Sequence, residues 1–316
     1  MRIDSLSYFS TSLSGIQNTQ SQIARLNQQL VSGNKVLAPK DDPLVTTRAM
    51  ALSDRLAMRG QYIANQERAT LTLNFESTVL QGIRTTLTQA VKIFSATGQE
   101  AGATDRPANT QLLRGVFDQL VALANSRDSE GNFIFSGDKT TTSPFANAGG
   151  GNFGVTPADG VATTFGGSTN LREVEVDSGH RVQVMDNLNT VFQAGAAGAD
   201  LLQTLDEAIT RLPLAAGHAS AVNDQATLVG FQQVVDTALS NLSLLEQRVG
   251  STLKELQDLK KTSQSLQLLE QDSLSGLTEV DQAAAIIELQ SRQTVLQAAS
   301  QAYAKTASLS LFNYLG

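Results

Sequence analysis

The sequence predicts a mainly α protein: an elongated, antiparallel, coiled-coil-like bundle of long helices forming a rod, with a small β-rich insert domain. Three observations carry this. Phe9, Ile16, Ile23 and Leu30 recur every seven residues at the start of the chain. Two long runs with few prolines flank a stretch dominated by Gly, Thr, Ser and Asn. With 41% hydrophobic and 17% charged residues over 316 positions, the chain suits long helices sharing thin seams better than one thick core.

The first helix carries its heptad seam on Phe9, Ile16, Ile23 and Leu30, with Leu6 and Leu13 three residues ahead of the first two. The seam is incomplete, because the second strip continues as Gln20 and Asn27. Gly33 and Asn34 are C-cap residues, and Pro39 cannot continue a helix. Asp41 and Asp42 before Pro43 read as a new helix start, with an acidic N-cap and proline at the first helical position. Paired carboxylates could also suggest a cation site, but capping explains them with fewer assumptions. From Leu44 to about Ala96 the apolar period is helical, interrupted by Gly60 and Gly82. "TGQEAGATDRP" reads as a loop, and Pro107 opens a shorter helix.

The texture changes at "SEGNFIFSGDKTTTSPFANAGGGNFG". Phe133 and Phe135 alternate as in a strand, and Val174, Val176, Val182 and Val184 keep period two on either side of Ser178-Gly179, a hairpin pattern. Helices resume with "NTVFQAGAAGADLLQTLDEAITRL". After Pro213 a Pro-free run extends to the end, marked by a leucine-rich strip from Leu228 to Leu259 that reads as intramolecular core. At about 1.5 Å rise per residue, 50 residues of helix span roughly 75 Å. Two such arms around the insert predict a hairpin with both termini at one end. The expected division is 1–42 with 266–316 as terminal helices, 43–131 with 187–265 as a helical rod, and 132–186 as the insert.

Several classes of function lack their residues. Net charge is −7, and Lys and Arg are scattered rather than gathered into the basic surface that nucleic acid requires. No apolar stretch approaches the length of a membrane span, and residues 1–30 carry no continuous apolar signal region. Cysteine is absent, so no thiolate serves as nucleophile or metal ligand. His180 and His218 lack metal-ligand spacing, and "GGGNFG" has no following Lys-Ser/Thr to make a phosphate loop. No catalytic residue, metal ligand or cofactor site is expected, and the chain is read as no enzyme.

The ends say more. "SLSLFNYLG" closes a chain that is only 5% aromatic with Phe312 and Tyr314. Upstream, Ile287, Val295, Ala298, Ala302, Leu309 and Phe312 form one strip of the last helix, and Ile286, Leu289, Leu296, Ala299 and Tyr303 a neighbouring one. So broad a face is suited to touching more than one helix. Arg2, Arg25, Lys35 and Lys40 against Asp4 leave residues 1–40 at +3. Arg292 and Lys305 against Glu270, Asp272, Glu279, Asp281 and Glu288 leave 264–316 at −3, so the two ends are suited to lie side by side. One pair of helices leaves half of its apolar face exposed and returns too little for the entropy of ordering it. The ends are therefore expected to be disordered in the monomer and to fold as subunit–subunit interfaces. The interface residues are Leu6, Phe9, Leu13, Ile16, Ile23, Leu30, Ile287, Val295, Leu296, Ala298, Ala302, Leu309, Leu311 and Phe312.

Three segments carry a family resemblance. These are "LNQQLVSGNKVLAPKDDPLVTTRAMALSDRL", the exit "GNFIFSGDKTTTSPF", and the C-terminal "LQAASQAYAKTASLSLFNYL". Over about residues 1–145 and 220–316 the chain resembles the flagellin superfamily. Its opening "MRI", its ending "LSLFNYL" and Pro43 after Asp41-Asp42 look like the junction proteins of that family rather than its filament subunits. The resemblance implies an extracellular structural part of the bacterial flagellum, without cofactor, exported by the flagellar type III route without a cleaved signal peptide. It implies polymerisation through the terminal helices, and as partners further copies of itself, hook-associated protein 1, flagellin and an export chaperone on the C-terminal helix. Nucleic acid, membrane and small-molecule substrates are not among them. The alternative within the family is flagellin itself.

Overall fold

The computed structural model describes residues 2–100, 106–145, 165–192, 201–211 and 225–315; the side chains at 2–6, 8, 9, 97–100, 106, 225–227 and 307–315 are outside that description. The regular structure of the described residues is seven helices and one two-stranded sheet: α1 (Arg2–Ser32), α2 (Pro43–Glu100), α3 (Arg106–Ala124), β1 (Glu173–Asp177), β2 (His180–Gln183), α4 (Asn189–Phe192), α5 (Leu201–Arg211), α6 (Gln225–Thr278) and α7 (Gln282–Leu315). The fold is mainly α with a small β element, as the sequence predicts. It divides into a terminal unit, Met1–Gly60 with Ser265–Gly316, and a middle unit, Gln61–Gln264.

The middle unit holds the core. On α2, Leu73, Leu80, Ile83, Leu87 and Phe94 are buried at helical spacing. They share one cluster with Leu113, Phe117 and Leu120 of α3, Leu201 and Leu205 of α5, and Phe231, Val235, Leu242, Val249 and Leu256 of α6. The leucine-rich strip of α6 is thus intramolecular core. Phe94 meets Phe231 at 5.9 Å between ring centroids, and Phe145 meets Phe192 at 4.8 Å. Arg84 of α2 adds an ion pair to Glu246 of α6.

The hairpin forms where the valine alternation places it. β1 and β2 pair antiparallel, Glu173 with Gln183, Val174 with Val182 and Glu175 with Arg181, with an irregularity between Glu175 and Asp177. Gly179 closes the turn at φ 72°, a left-handed conformation that costs glycine little. Val176 and Val182 point into the core. Two amides of α2 hold β1: Asn65 Nδ2 donates to the Glu175 carbonyl at 2.9 Å, and Gln66 Nε2 to that of Val176 at 2.7 Å. Val184 lies just past β2, its amide bonded to the Arg172 carbonyl.

Three expectations change. Phe133 and Phe135 do not make a strand; Phe133, Ile134 and Phe135 are all buried in consecutive turns, with a single bridge from Phe133 to Arg127. The helix α2 runs through "TGQE" to Glu100, its last turn tolerating Gly98. Of the helical stretch expected after Asn189, α4 and α5 are described and are helical; residues 193–200 between them lie outside the described residues, as do the "GGGNFG" stretch, Pro213 and His218. The final Pro-free run is two helices, α6 and α7, divided at Glu279–Asp281.

Candidate assembly interface

The terminal unit is organised around that division. Ser32 ends α1 because Gly33 turns left-handed at φ 73°. The chain then pairs with the break between α6 and α7: Lys35 N donates to the Thr278 carbonyl at 2.7 Å, and Val280 N to the Gly33 carbonyl at 2.9 Å. Asn34 and Glu279 form an antiparallel bridge between these donors. Gln29 Nε2 reaches the Lys35 carbonyl at 2.6 Å and ties the clasp back to α1. The backbone groups freed by ending two helices thus satisfy each other.

The adjoining carboxylates divide the remaining work. Asp42 caps α2, its Oδ1 accepting from Val45 N at 3.0 Å, and Pro43 stands at the first helical position. Asp41 instead accepts from Ala38 N at 3.2 Å and pairs with Arg25 of α1 at 3.4 Å. Asp281 caps α7 through Ala284 N at 3.0 Å. That aspartate ahead of "QAAA" is the signal in the sequence that marks the α6–α7 break.

From the clasp, α1 and α7 pack along each other, and the bridge at their junction sets them antiparallel. The side of α1 turned from solvent carries Ile16, Thr19, Ile23, Leu26 and Leu30, all half-buried. The strip on Ile16, Ile23 and Leu30 therefore continues through Thr19 and Leu26 rather than through Leu6 and Leu13, and Leu13 is 45% exposed. On α7 the inward strip is Ala285, Leu289, Arg292, Leu296, Ala299 and Tyr303, spaced alternately by four and three residues. Arg292 is tethered to Glu288 at 2.6 Å on the same helix.

Opposite that strip, α7 remains apolar. Ile287 is 68% exposed and Val295 51%, and Ala298 and Ala302 are exposed with them. Among the described residues of the terminal unit, Ala285 is the one buried apolar side chain. A helix with apolar residues on two sides, only one of them met by its own chain, has an unpartnered face. The predicted interface residues thus divide: Ile16, Ile23, Leu30 and Leu296 serve the α1–α7 seam, while Leu13, Ile287, Val295, Ala298 and Ala302 face outward. The side chains of Leu6, Phe9, Leu309, Leu311 and Phe312 lie outside the described residues. Sequence reading passed over Thr19 and Leu26, because a polar residue at one and a single leucine at the other make no visible strip.

The backbone clasp thus joins long helices whose described terminal portions have no closed apolar core of their own. Residues 3–140 match the bacterial flagellin N-terminal helical region. Over 326 aligned residues and 99% of both chains, the protein is 29% identical to flagellar hook-associated protein 3 of Escherichia coli strain K12 and 28% identical to that of Salmonella typhimurium strain LT2. Its fold is that of flagellar hook associated protein-3 from Legionella pneumophila (TM-score 0.61, 15% identity, 72% of this chain and 98% of that one). Bacillus cereus FlgL shares it as well (TM-score 0.56, 19% identity, 71% and 99%). The chain is thus similar along 99% of its length to proteins named flagellar hook-associated protein 3, and over residues 3–140 to the N-terminal helical region of bacterial flagellins. Among the described residues no helix is long and apolar enough to cross a membrane.

Proposed function

We propose that this protein joins the flagellar hook to its filament, lying outside the cell at the hook–filament junction. Copies of the chain assemble through α1 and α7 into a ring or short helical layer. One side of the layer meets hook-associated protein 1 and the other receives flagellin. The chain reaches that place through the flagellar type III export route, with a chaperone on its C-terminal helix until it assembles.

The observation that carries the reading is the outward apolar strip of α7 in a unit with no closed core, on a chain similar along 99% of its length to flagellar hook-associated protein 3. Such a surface is stable when neighbouring subunits cover it. The terminal segments 1–42 and 266–316 are only marginally stable until assembly covers them, so limited proteolysis of the free chain trims it to a core of about residues 45–265. Leu311→Asp or Phe312→Asp blocks incorporation without altering the melting of that core.

The deciding experiment is a strain lacking this chain. Bare hooks with unpolymerised flagellin shed into the medium support the junction role. Absence of any flagellin polypeptide assigns the chain to the filament itself, the alternative kept open by its flagellin-type N-terminal region.

A further inference from the structure

The middle unit buries a carboxyl group that the assembly reading does not use. Glu76 of α2 is 1% exposed, and its carboxyl is met by groups of Asp186. Asp186, three residues past β2 and 2% exposed, confronts it with a second carboxylate. Among the described residues one cation serves the two: Arg248 of α6, whose Nη2 donates to Asp186 Oδ1. Gln183 Nε2 at the end of β2 donates to the same oxygen. Asp186 and Arg248 are the charged groups that act on Glu76, one from the segment behind the hairpin and one from α6; its own helix contributes none.

Two buried carboxylates against one guanidinium leave an uncompensated charge, so one carboxyl keeps its proton. Asp186 holds the arginine and the glutamine amide, which leaves Glu76 as the protonated member. Burial first, and then the Asp186 charge, pushes its carboxyl well above the ordinary value of 4.5. The cluster sits where three elements converge. Asp186 fixes the segment behind the hairpin to α6 through Arg248, and Glu76 sets its carboxyl against Asp186 from α2.

We propose that Glu76, Asp186 and Arg248 form a proton-dependent latch that holds the β1–β2 hairpin and its following segment to α2 and α6. Closed, Glu76 carries the proton. Opening hydrates its carboxyl, which then releases the proton to solvent at the ordinary glutamate value. A group bound more tightly to its proton when closed gives a latch that is strongest below pH 4.5 or so and weakens as pH rises towards the raised value. Beyond that point both states are ionised and the strength levels off.

Hydrogen exchange on the full chain tests this. The Val184 amide, bonded to the Arg172 carbonyl at 2.9 Å, reports on opening of the segment behind the hairpin. After correction for intrinsic base catalysis, wild-type opening should become about tenfold more favourable per pH unit above pH 4.5, then level off. In Glu76→Gln that dependence should shrink to the part left by the Asp186 carboxyl, which burial also raises, whatever the absolute value. Carboxyl-carbon NMR of the wild type should place one glutamate far above the others, and Glu76→Gln should remove that signal. Parallel pH profiles in the two proteins, or a Glu76 carboxyl titrating with the exposed glutamates, would overturn the latch. Asp206 is unchanged in both proteins, so its titration cancels in the comparison.

Discussion

Arg59 and Glu270 meet through two parallel hydrogen bonds: Nε and Nη2 of the arginine on α2 each donate at 2.9 Å to one carboxylate oxygen of the glutamate on α6. Their side chains are only 18% and 16% exposed, in a unit with almost no buried apolar surface. The hydrogen bonds from Arg59 hold the Glu270 carboxyl below its ordinary value of 4.5. A carboxylate lowered in the folded state adds stability above its unfolded value, which is lost as pH falls through the folded one. A double-mutant cycle with Arg59→Met and Glu270→Gln should give a coupling of about 1 kcal/mol at pH 7. Urea unfolding should show the coupling fading below pH 4.5; a coupling of zero at pH 7 would remove the pair from the account.

Asp206 works with the opposite sign. Burial on α5 pushes its carboxyl up to about 6, opposed by Arg114 and reinforced by Glu207, and its Oδ2 has no hydrogen-bond partner among the described residues. A raised carboxyl favours folding fully below its unfolded value of 3.8, and the advantage is lost as pH rises to about 6. Asp206→Asn should therefore stabilise the middle unit at pH 7.5 by about 2 kcal/mol, with little difference near pH 3.5. Urea midpoints of the two proteins across that range decide it. A constant difference would mean that Asp206 acts through packing alone.

Gly137 is irreplaceable for two reasons at once. It sits at φ 65°, and a Cβ there would stand 2.4 Å from the Ser168 carbonyl oxygen and 2.6 Å from that of Asn170. The closeness follows from the pairing around it, where Ser168 N donates to the Ser136 carbonyl and Asp138 N to that of Asn170. Gly131, at φ 84°, has open space around the same position. Gly131→Ala should cost about 1 kcal/mol of conformational strain. Gly137→Ala should cost clearly more, about 3 kcal/mol, because backbone must move as well. Equal melting temperatures for the two variants would refute the close approach.

The sequence shows its structure wherever a local rule acts alone. Gly33, Pro43 and Asp42 mark helix ends through their own backbone preferences, and the hairpin announces itself through alternating valines around Ser178-Gly179. The α6–α7 break is different. Its backbone groups are satisfied by Gly33 and Lys35, more than 240 residues away in sequence, and periodicity along one helix carries no trace of that pairing. The second strip of α1 is hidden for a related reason. A heptad seam on Ile16, Ile23 and Leu30 is compatible with a partner strip on either side, and the apolar Leu13 points to the side that the fold leaves exposed. The latch at Glu76 is invisible altogether, since nothing near a glutamate in mid-helix shows that Asp186 and Arg248 will surround it.

The two faces of α7 allow stability and assembly to be changed separately. Leu289 and Leu296 lie on the half-buried strip in the terminal unit, and Ile287 and Val295 on the exposed one. Truncating the first pair removes apolar contact from the α1–α7 seam, so Leu289→Ala or Leu296→Ala should destabilise the terminal helices by about 1–2 kcal/mol, below the cost at a fully buried site. Placing a charge on the second pair leaves that seam intact, because the new carboxylate stays in water. Ile287→Asp and Val295→Asp should keep the helicity and melting of the free chain yet abolish incorporation into the flagellum, because an unpaired carboxylate would be buried between subunits. The measurement is circular dichroism on the purified variants beside complementation of motility in a strain lacking the chain. Normal motility with Ile287→Asp and Val295→Asp combined would show that the outward strip of α7 is not the surface through which subunits meet.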